Sequence, residues 1–100
     1  MFEAISDVFS SKIRLSIISA LMSGEKDFTT LKKIITVTDG NLGKQLEMLE
    51  AENFIQYRRE LIGKRNRTTY YITEHGRLKF REYVELLEGI LSGTNKTDLE

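Results

Sequence analysis

Two short stretches hold the side chains best suited to chemistry. One is GKRNR at residues 63–67, where Lys64, Arg65 and Arg67 crowd around Asn66 behind a glycine, in a 100-residue chain of formal net charge zero. Cations this dense suit sugar–phosphate oxygens, or a narrow minor groove where arginine is favoured. The other is TDGNLGKQ at residues 38–45. Thr38, Asp39, Gly40, Asn41, Lys44 and Gln45 are small or hydrogen-bonding, with a single cation among them. Asparagine and glutamine can pair bidentately with adenine, and lysine can take guanine or a phosphate.

Other chemistries find little support. The chain has no cysteine and one histidine, His75. That removes disulfides, thiolate nucleophiles and thiol redox switching, and leaves a transition-metal site with one candidate ligand. Only an all-oxygen cation site stays open. His75 follows Glu74 at a helix start with no third partner, and the serines and threonines have simpler work as caps. No enzyme activity, metal or cofactor is expected.

The charge is unevenly spread. Residues 1–57 carry six basic and eight acidic groups, residues 58–67 five and one, and residues 68–100 four and six. The block sums are −2, +4 and −2, so the whole positive excess lies in RRELIGKRNR. A neutral chain can still attract a polyanion when its field is focused on one face. The plain alternative is a solubilising loop.

The elements that must position these groups read as follows. Ser10 or Ser11 caps a helix whose stripe is Ile13, Ile17, Ile18, Leu21 and Met22, stopped at Gly24. Asp27 caps a short helix with Leu31, Ile34 and Ile35 inward, and Phe28 plugs the gap to the first. Thr38 or Asp39 caps a third, with Leu42, Leu46 and Leu49 at i, i+4, i+7. Gly40 and Gly43 sit in its first turns at a cost of about 1 kcal/mol each relative to alanine, so something other than helix stability favours them. Asn53 ends it in a left-handed conformation. FIQYRRELI and TTYYIT form two strands joined by GKRNR as a hairpin loop, with Gly63 and Asn66 available for positive φ. Arg58 and Arg59 alternate sides of the first strand, so only one, assigned as Arg58, can join the cationic face. Thr73 caps a last helix from residue 74, followed from residue 93 by a polar tail. The order is three helices, a two-stranded hairpin and a helix, with a helix-turn-helix directly before the hairpin.

TDGNLGKQLEMLE followed by GKRNRTTYYITEHGR closely resembles the small single-domain winged-helix regulators of the MarR and ArsR groups, over about residues 10–91. The resemblance implies an α+β, mostly α fold: a three-helix core, a two-stranded wing and a C-terminal dimerisation helix. It implies a dimeric transcriptional regulator with the helix at 39–52 in the major groove of double-stranded DNA and the wing beside it. By position, the base-facing residues are Asp39, Gly40, Asn41, Lys44 and Gln45, and the wing cations Lys64, Arg65 and Arg67. Asn53 stands where glycine is usual, Asn66 where proline is common, and His75 where proline or an acid is typical.

Phe80, Val84, Leu87 and Leu91, spaced 4, 3, 4 with Tyr83 and Ile90 beside them, make a coiled-coil-like seam. Together with Phe2, Ile5 and Phe9 it exceeds the needs of one small core and reads as a homodimer interface. The competing reading packs the terminal helices on each other within one chain. A two-fold dimer would match a pseudo-palindromic operator with half-sites about 34 Å apart. Residues 1–92 are expected to form the domain and 93–100 a flexible tail. With no apolar run of membrane-spanning length and no basic n-region before an apolar stretch, the expected compartment is the cytoplasm and no membrane partner is expected. The alternative function is a winged helix that binds protein rather than DNA.

Overall fold

The computed structural model describes the backbone of residues 7–99 and the side chains of residues 7–92. A 3-10 turn at Asp7–Ser10 leads into α1 (Lys12–Met22), then β1 (Lys26–Asp27), α2 (Phe28–Ile34), α3 (Asp39–Ala51), β2 (Ile55–Ile62), β3 (Arg65–Ile72) and α4 (Glu74–Leu99). This is the winged helix-turn-helix arrangement, mostly helical, as the sequence implies.

Side-chain caps set the helix starts. Ser11 Oγ accepts from Arg14 N, Asp27 Oδ1 from Thr30 N and Thr38 Oγ1 from Asn41 N. Each satisfies a backbone donor that a helix start leaves unpaired. α3 closes through Asn53 at φ 61°, the one non-glycine residue with positive φ among those described. The centres of the expected stripes are buried, Ile17, Ile18 and Leu21 from α1, Leu31 from α2, and Leu42, Leu46 and Leu49 from α3, while Ile13 and Met22 of the α1 stripe are half-buried at its edge. They close over Phe54, Ile55 and Ile72 at the base of the hairpin, and Phe28 packs half-buried against the same core. Ile34 departs from expectation and is 52% exposed. α2 is only seven residues long, and the inward place in its last turn falls to Ile35, the C-cap.

The sheet corrects the sequence reading twice. It has three strands in the order β1-β3-β2, not two, because Lys26 and Asp27 pair with Tyr70 and Thr69. A two-residue strand has no periodicity of its own and exists only through this long-range pairing. The hairpin turn is also shorter than GKRNR. Ile62 pairs with Arg65, so Gly63 and Lys64 alone make the turn. Gly63 has φ 64°, suiting a two-residue hairpin with glycine first. Arg65, Asn66 and Arg67 are β3 residues paired with Ile62, Leu61 and Glu60, and Asn66 has no positive φ.

The motif TEHGR fixes the start of α4. Thr73 Oγ1 accepts from Gly76 N at 2.9 Å and donates toward the carbonyls of Asn53 and Phe54 at 2.7 and 3.1 Å. A Cβ on Gly76 would lie 2.2 Å from the Phe54 carbonyl oxygen, so only glycine allows α4 to start this close to the end of α3. The helix runs on through residues 93–99, where the sequence reading places a tail. Gly93 is the weakest helix former there, and no proline follows to enforce a stop.

Candidate nucleic-acid interface

α3 presents the first group of site residues at its N-terminal end. Thr38, Asp39, Gly40, Asn41 and Lys44 are exposed, while Gln45 is half-buried. A Cβ built on Gly40 or Gly43 would meet nothing within 4 Å. No packing contact among the described residues requires a glycine at either place. Two of the candidates have intramolecular duties. The Thr38 hydroxyl is the cap, and Asp39 pairs with Lys32 at 3.0 Å. Lys32 Nζ also donates to the Val37 carbonyl at 2.6 Å, clamping the turn between α2 and α3. This lysine was not picked out from sequence, since its partners lie across the turn.

Arg14 of α1 was also missed. Its Nη1 donates to Gln45 Oε1 at 2.9 Å, its Nε to the Val8 carbonyl at 3.0 Å, and its Nη2 to the Asp7 carbonyl at 3.2 Å. Gln45 Nε2 in turn donates to Asn41 Oδ1 at 3.0 Å. The only sequence signal for Arg14 is a cation set among Ile13, Leu15 and Ile17.

The hairpin carries the second group. Strand alternation and register put Arg58, Glu60, Arg65 and Arg67 on one face, with Asn66 on the other and Lys64 in the turn. A cleft of about 550 Å³ separates this face from the start of α2, lined by Asp27, Phe28, Thr29, Ile62, Arg65 and Arg67 among others. The cations there are not equivalent. Arg58 grips Glu25 with two hydrogen bonds, Nη1 to Oε2 at 3.0 Å and Nη2 to Oε1. Those bonds hold the Glu25 carboxyl below its usual range and push the guanidinium further up. Glu60 Oε1 lies 3.5 Å from Arg58 and 3.8 Å from Arg67. Among the described residues, neither Lys64 nor Arg65 has an ion-pair partner. Arg59, on the opposite face, lies over the Tyr57 ring at 5.5 Å from its centroid. Among the described residues, no hydrogen bond or ion pair joins the α3 group to the hairpin group; they are held by the backbone that runs from α3 through Asn53 into β2.

The expected dimer residues divide. Phe2 and Ile5 lie outside the described residues. Phe9 is a correction: it is 7% exposed, stacks on Tyr83 at 4.6 Å and meets Phe54 edge-on at 5.5 Å, so its ring is spent on its own core. Phe80 and Tyr83 are half-buried around it, as the within-chain reading has it, and Val84 is half-buried too. Leu87, Ile90 and Leu91 are 40%, 37% and 78% exposed. His75 meets Phe54 edge-on at 5.2 Å.

Among the described residues, no cluster of three or more His, Asp and Glu could hold a metal ion, and no helix is long and apolar enough to cross a membrane. Residues 13–91 match the family model of the winged helix DNA-binding domain. The uncharacterized protein MJ0432 of Methanocaldococcus jannaschii is 35% identical over 83 residues, covering 81% of this chain and 90% of that protein. A transcriptional regulator homologue from Pyrococcus horikoshii superposes with a TM-score of 0.81 at 24% identity, over 89% of each chain. A structure described as a MarR-family transcriptional regulator from Enterococcus faecalis gives 0.79 at 18% identity, over 94% of this chain and 86% of that one. The chain belongs to the winged helix DNA-binding domain family and has the fold of MarR-type transcriptional regulators.

Proposed function

We propose that this protein is a homodimeric transcriptional regulator that binds double-stranded DNA sequence-specifically, with the N-terminal end of α3 in the major groove and the hairpin on the neighbouring backbone or minor groove. The observation that carries the reading is the open surface at Gly40 and Gly43. Two glycines in a helix cost stability, a Cβ at either would meet nothing within 4 Å, and the exposed Gly40 leaves the backbone of a capped helix start open to a ligand. A helix N-terminus with free donors suits phosphate or base edges. Beside them stand exposed Asn41 and Lys44, and the hairpin adds Lys64 and Arg65 without carboxylate partners among the described residues. In this division the hairpin supplies phosphate affinity and α3 the sequence choice.

Binding to random and selected duplexes across a salt series tests this. Phosphate contacts give a steep linear fall of log affinity with log salt. Replacing Lys64 and Arg65 by alanine weakens binding to all duplexes alike and flattens the slope. Replacing Asn41 relaxes the choice of base by about 1–3 kcal/mol at one position. No binding at low salt would sink the reading and favour a protein-binding winged helix instead.

A further inference from the structure

The hairpin ends in an apolar pair that the core does not use. β1 pairs only with Tyr70 and Thr69 of β3, so from Thr68 outward β2 and β3 form a two-stranded finger ending at Gly63 and Lys64. β2 is an edge strand, where proteins usually place charge or proline. Its last two residues are instead Leu61, 70% exposed, and Ile62, 48% exposed. Strand alternation turns them to opposite faces. Ile62 lines the cleft against the start of α2. Leu61 lies on the other face, and the long side chain nearest to it there leans away. Arg59 lies over the Tyr57 ring, toward the base of the hairpin, 5.5 Å from its centroid. Leu61 is left uncovered near the tip, in register with Asn66 and close to Lys64 and Arg65.

We infer that Leu61 is a wedge: as the hairpin enters the minor groove, this side chain inserts between two base pairs, unstacks them and kinks the duplex. This rests on the proposal that the protein binds double-stranded DNA. Minor-groove proteins that bend DNA combine arginine, lysine or asparagine with an apolar side chain, leucine among them, pushed into a base step. The finger carries that combination in Asn66, Lys64, Arg65 and Leu61. Its width points the same way. Two paired strands lie about 4.8 Å apart before side chains are added, and the minor groove is about 6 Å wide. The finger enters only where the groove opens, and a kink toward the major groove opens it.

Charge selects DNA as the occupant. Residues 58–67 hold the whole positive excess of the chain, and Lys64 and Arg65 have no ion-pair partner among the described residues. An apolar tip made for a groove on another protein has no need of them. A wedge also gives the hairpin a sequence preference without a hydrogen bond to any base. Pyrimidine–purine steps such as TA and CA unstack easily, whereas A-tracts are stiff. Burial of Leu61 against the base planes removes it from water and offsets part of the unstacking.

The test uses duplexes selected from a random pool, with a fluorescent dye at each end and 2-aminopurine walked along one strand. Wild type should bend the bound duplex by roughly 20–90°, seen as energy transfer between the ends. The 2-aminopurine signal should rise at the step under the hairpin, where stacking is lost. Leu61→Ser should leave the duplex nearly straight and the base stacked, with the salt slope unchanged because no phosphate contact is removed. Leu61→Met, which keeps an apolar wedge, should retain both signals. A mismatch at the responding step is already partly unstacked. Wild type should bind it about tenfold tighter than the matched duplex, and Leu61→Ser should bind the two alike. The position is exposed, and matching urea midpoints for the three proteins check that the fold is kept. A straight duplex under bound wild type, or equal bending by Leu61→Ser, overturns the wedge and leaves DNA binding in place. No binding to any duplex at low salt defeats the DNA-binding proposal and the wedge together, and turns Leu61 over to a protein partner.

Discussion

At the scale of single residues, the glycines separate folding from binding. Gly76 is needed by the fold, because a Cβ there would sit 2.2 Å from the Phe54 carbonyl oxygen. Gly76→Ala must push α4 away from the end of α3, and overpacking of this kind costs about 1–3 kcal/mol. Gly40 and Gly43 have open space instead. Alanine at either should stabilise the protein by roughly 0.5–1 kcal/mol through helix propensity while weakening DNA binding. Urea midpoints and duplex titrations on the same three variants check both statements. A Gly40→Ala protein that gained stability and kept full affinity would remove the main support for close backbone approach.

A second residue-scale prediction concerns acid. Hydrogen bonding with Thr30, through its side chain and its backbone N–H, holds the Asp27 carboxyl below its ordinary value. A group depressed in the folded state contributes stability above its unfolded pKa, and loses it as pH falls through the folded value. Asp27→Ala should therefore cost about 1 kcal/mol at neutral pH, as lost caps do. That difference from wild type should shrink below about pH 4, the ordinary aspartate range. Asp27→Asn keeps an acceptor without the charge, so it should stay close to wild type at pH 7. Thermal unfolding of the three proteins between pH 3 and 7 measures this, and a gap that widened in acid would reverse the sign.

At the scale of elements, the hairpin holds part of its positive charge in reserve. Glu25 lies just before β1 and neutralises Arg58, and Glu60 stands between Arg58 and Arg67. Removing the Glu25 charge should release Arg58 to the DNA backbone. Glu25→Gln is expected to raise affinity for every duplex and to steepen the salt dependence by about one released ion. Arg58→Ala, by contrast, should cost much less DNA affinity than Arg65→Ala. Equal losses from those two alanine variants would show that Arg58 leaves Glu25 to engage DNA.

None of this pairing was legible in the sequence. Arg58 and Glu25 are 33 positions apart, and β1, which brings Glu25 there, consists of two residues without a pattern of their own. What was legible is local. Ser11, Asp27 and Thr38 mark helix starts because a cap bonds a donor three residues ahead. Leu42, Leu46 and Leu49 mark a face because the helical period repeats within one segment. Asn53 marks a stop through its tolerance of positive φ. The site shows the same division. Asn41, Lys44, Lys64 and Arg65 could be named from type and spacing, but the commitments of Gln45, Asp39 and Arg58 depend on partners that only folding brings near. Phe9 failed for the same reason: an apolar residue near a terminus suits an interface and a core equally, and the ring of Tyr83 decides between them.

At the scale of the whole molecule, the chain is too elongated for its length. Its radius of gyration is 16.0 Å, against about 13 Å for a compact domain of 100 residues. The longest principal extent is 63 Å and the others 25 and 21 Å. α4 accounts for the difference, since 26 helical residues span about 39 Å. Its first turns are held to the core through Phe80 and Tyr83. Farther along, Leu87 and Leu91 are 40% and 78% exposed. A helix arm of this kind is stable when a second copy covers it, which is how the proposed dimer accounts for the shape. Replacing Leu87 and Leu91 by glutamate should then give a monomeric mass by light scattering at micromolar concentration, where wild type shows twice that mass. The core would be untouched, because neither side chain belongs to the buried cluster or packs against it. The double variant should keep its circular-dichroism spectrum and lose only the stability that association adds by mass action. It should also bind DNA as a single half-site reader, with affinity insensitive to the spacing of a two-fold operator, whereas wild type requires half-sites about one helical turn apart. A wild-type monomer at these concentrations, or a variant mass equal to wild type, would return the exposed stripe on α4 to a surface without a partner copy.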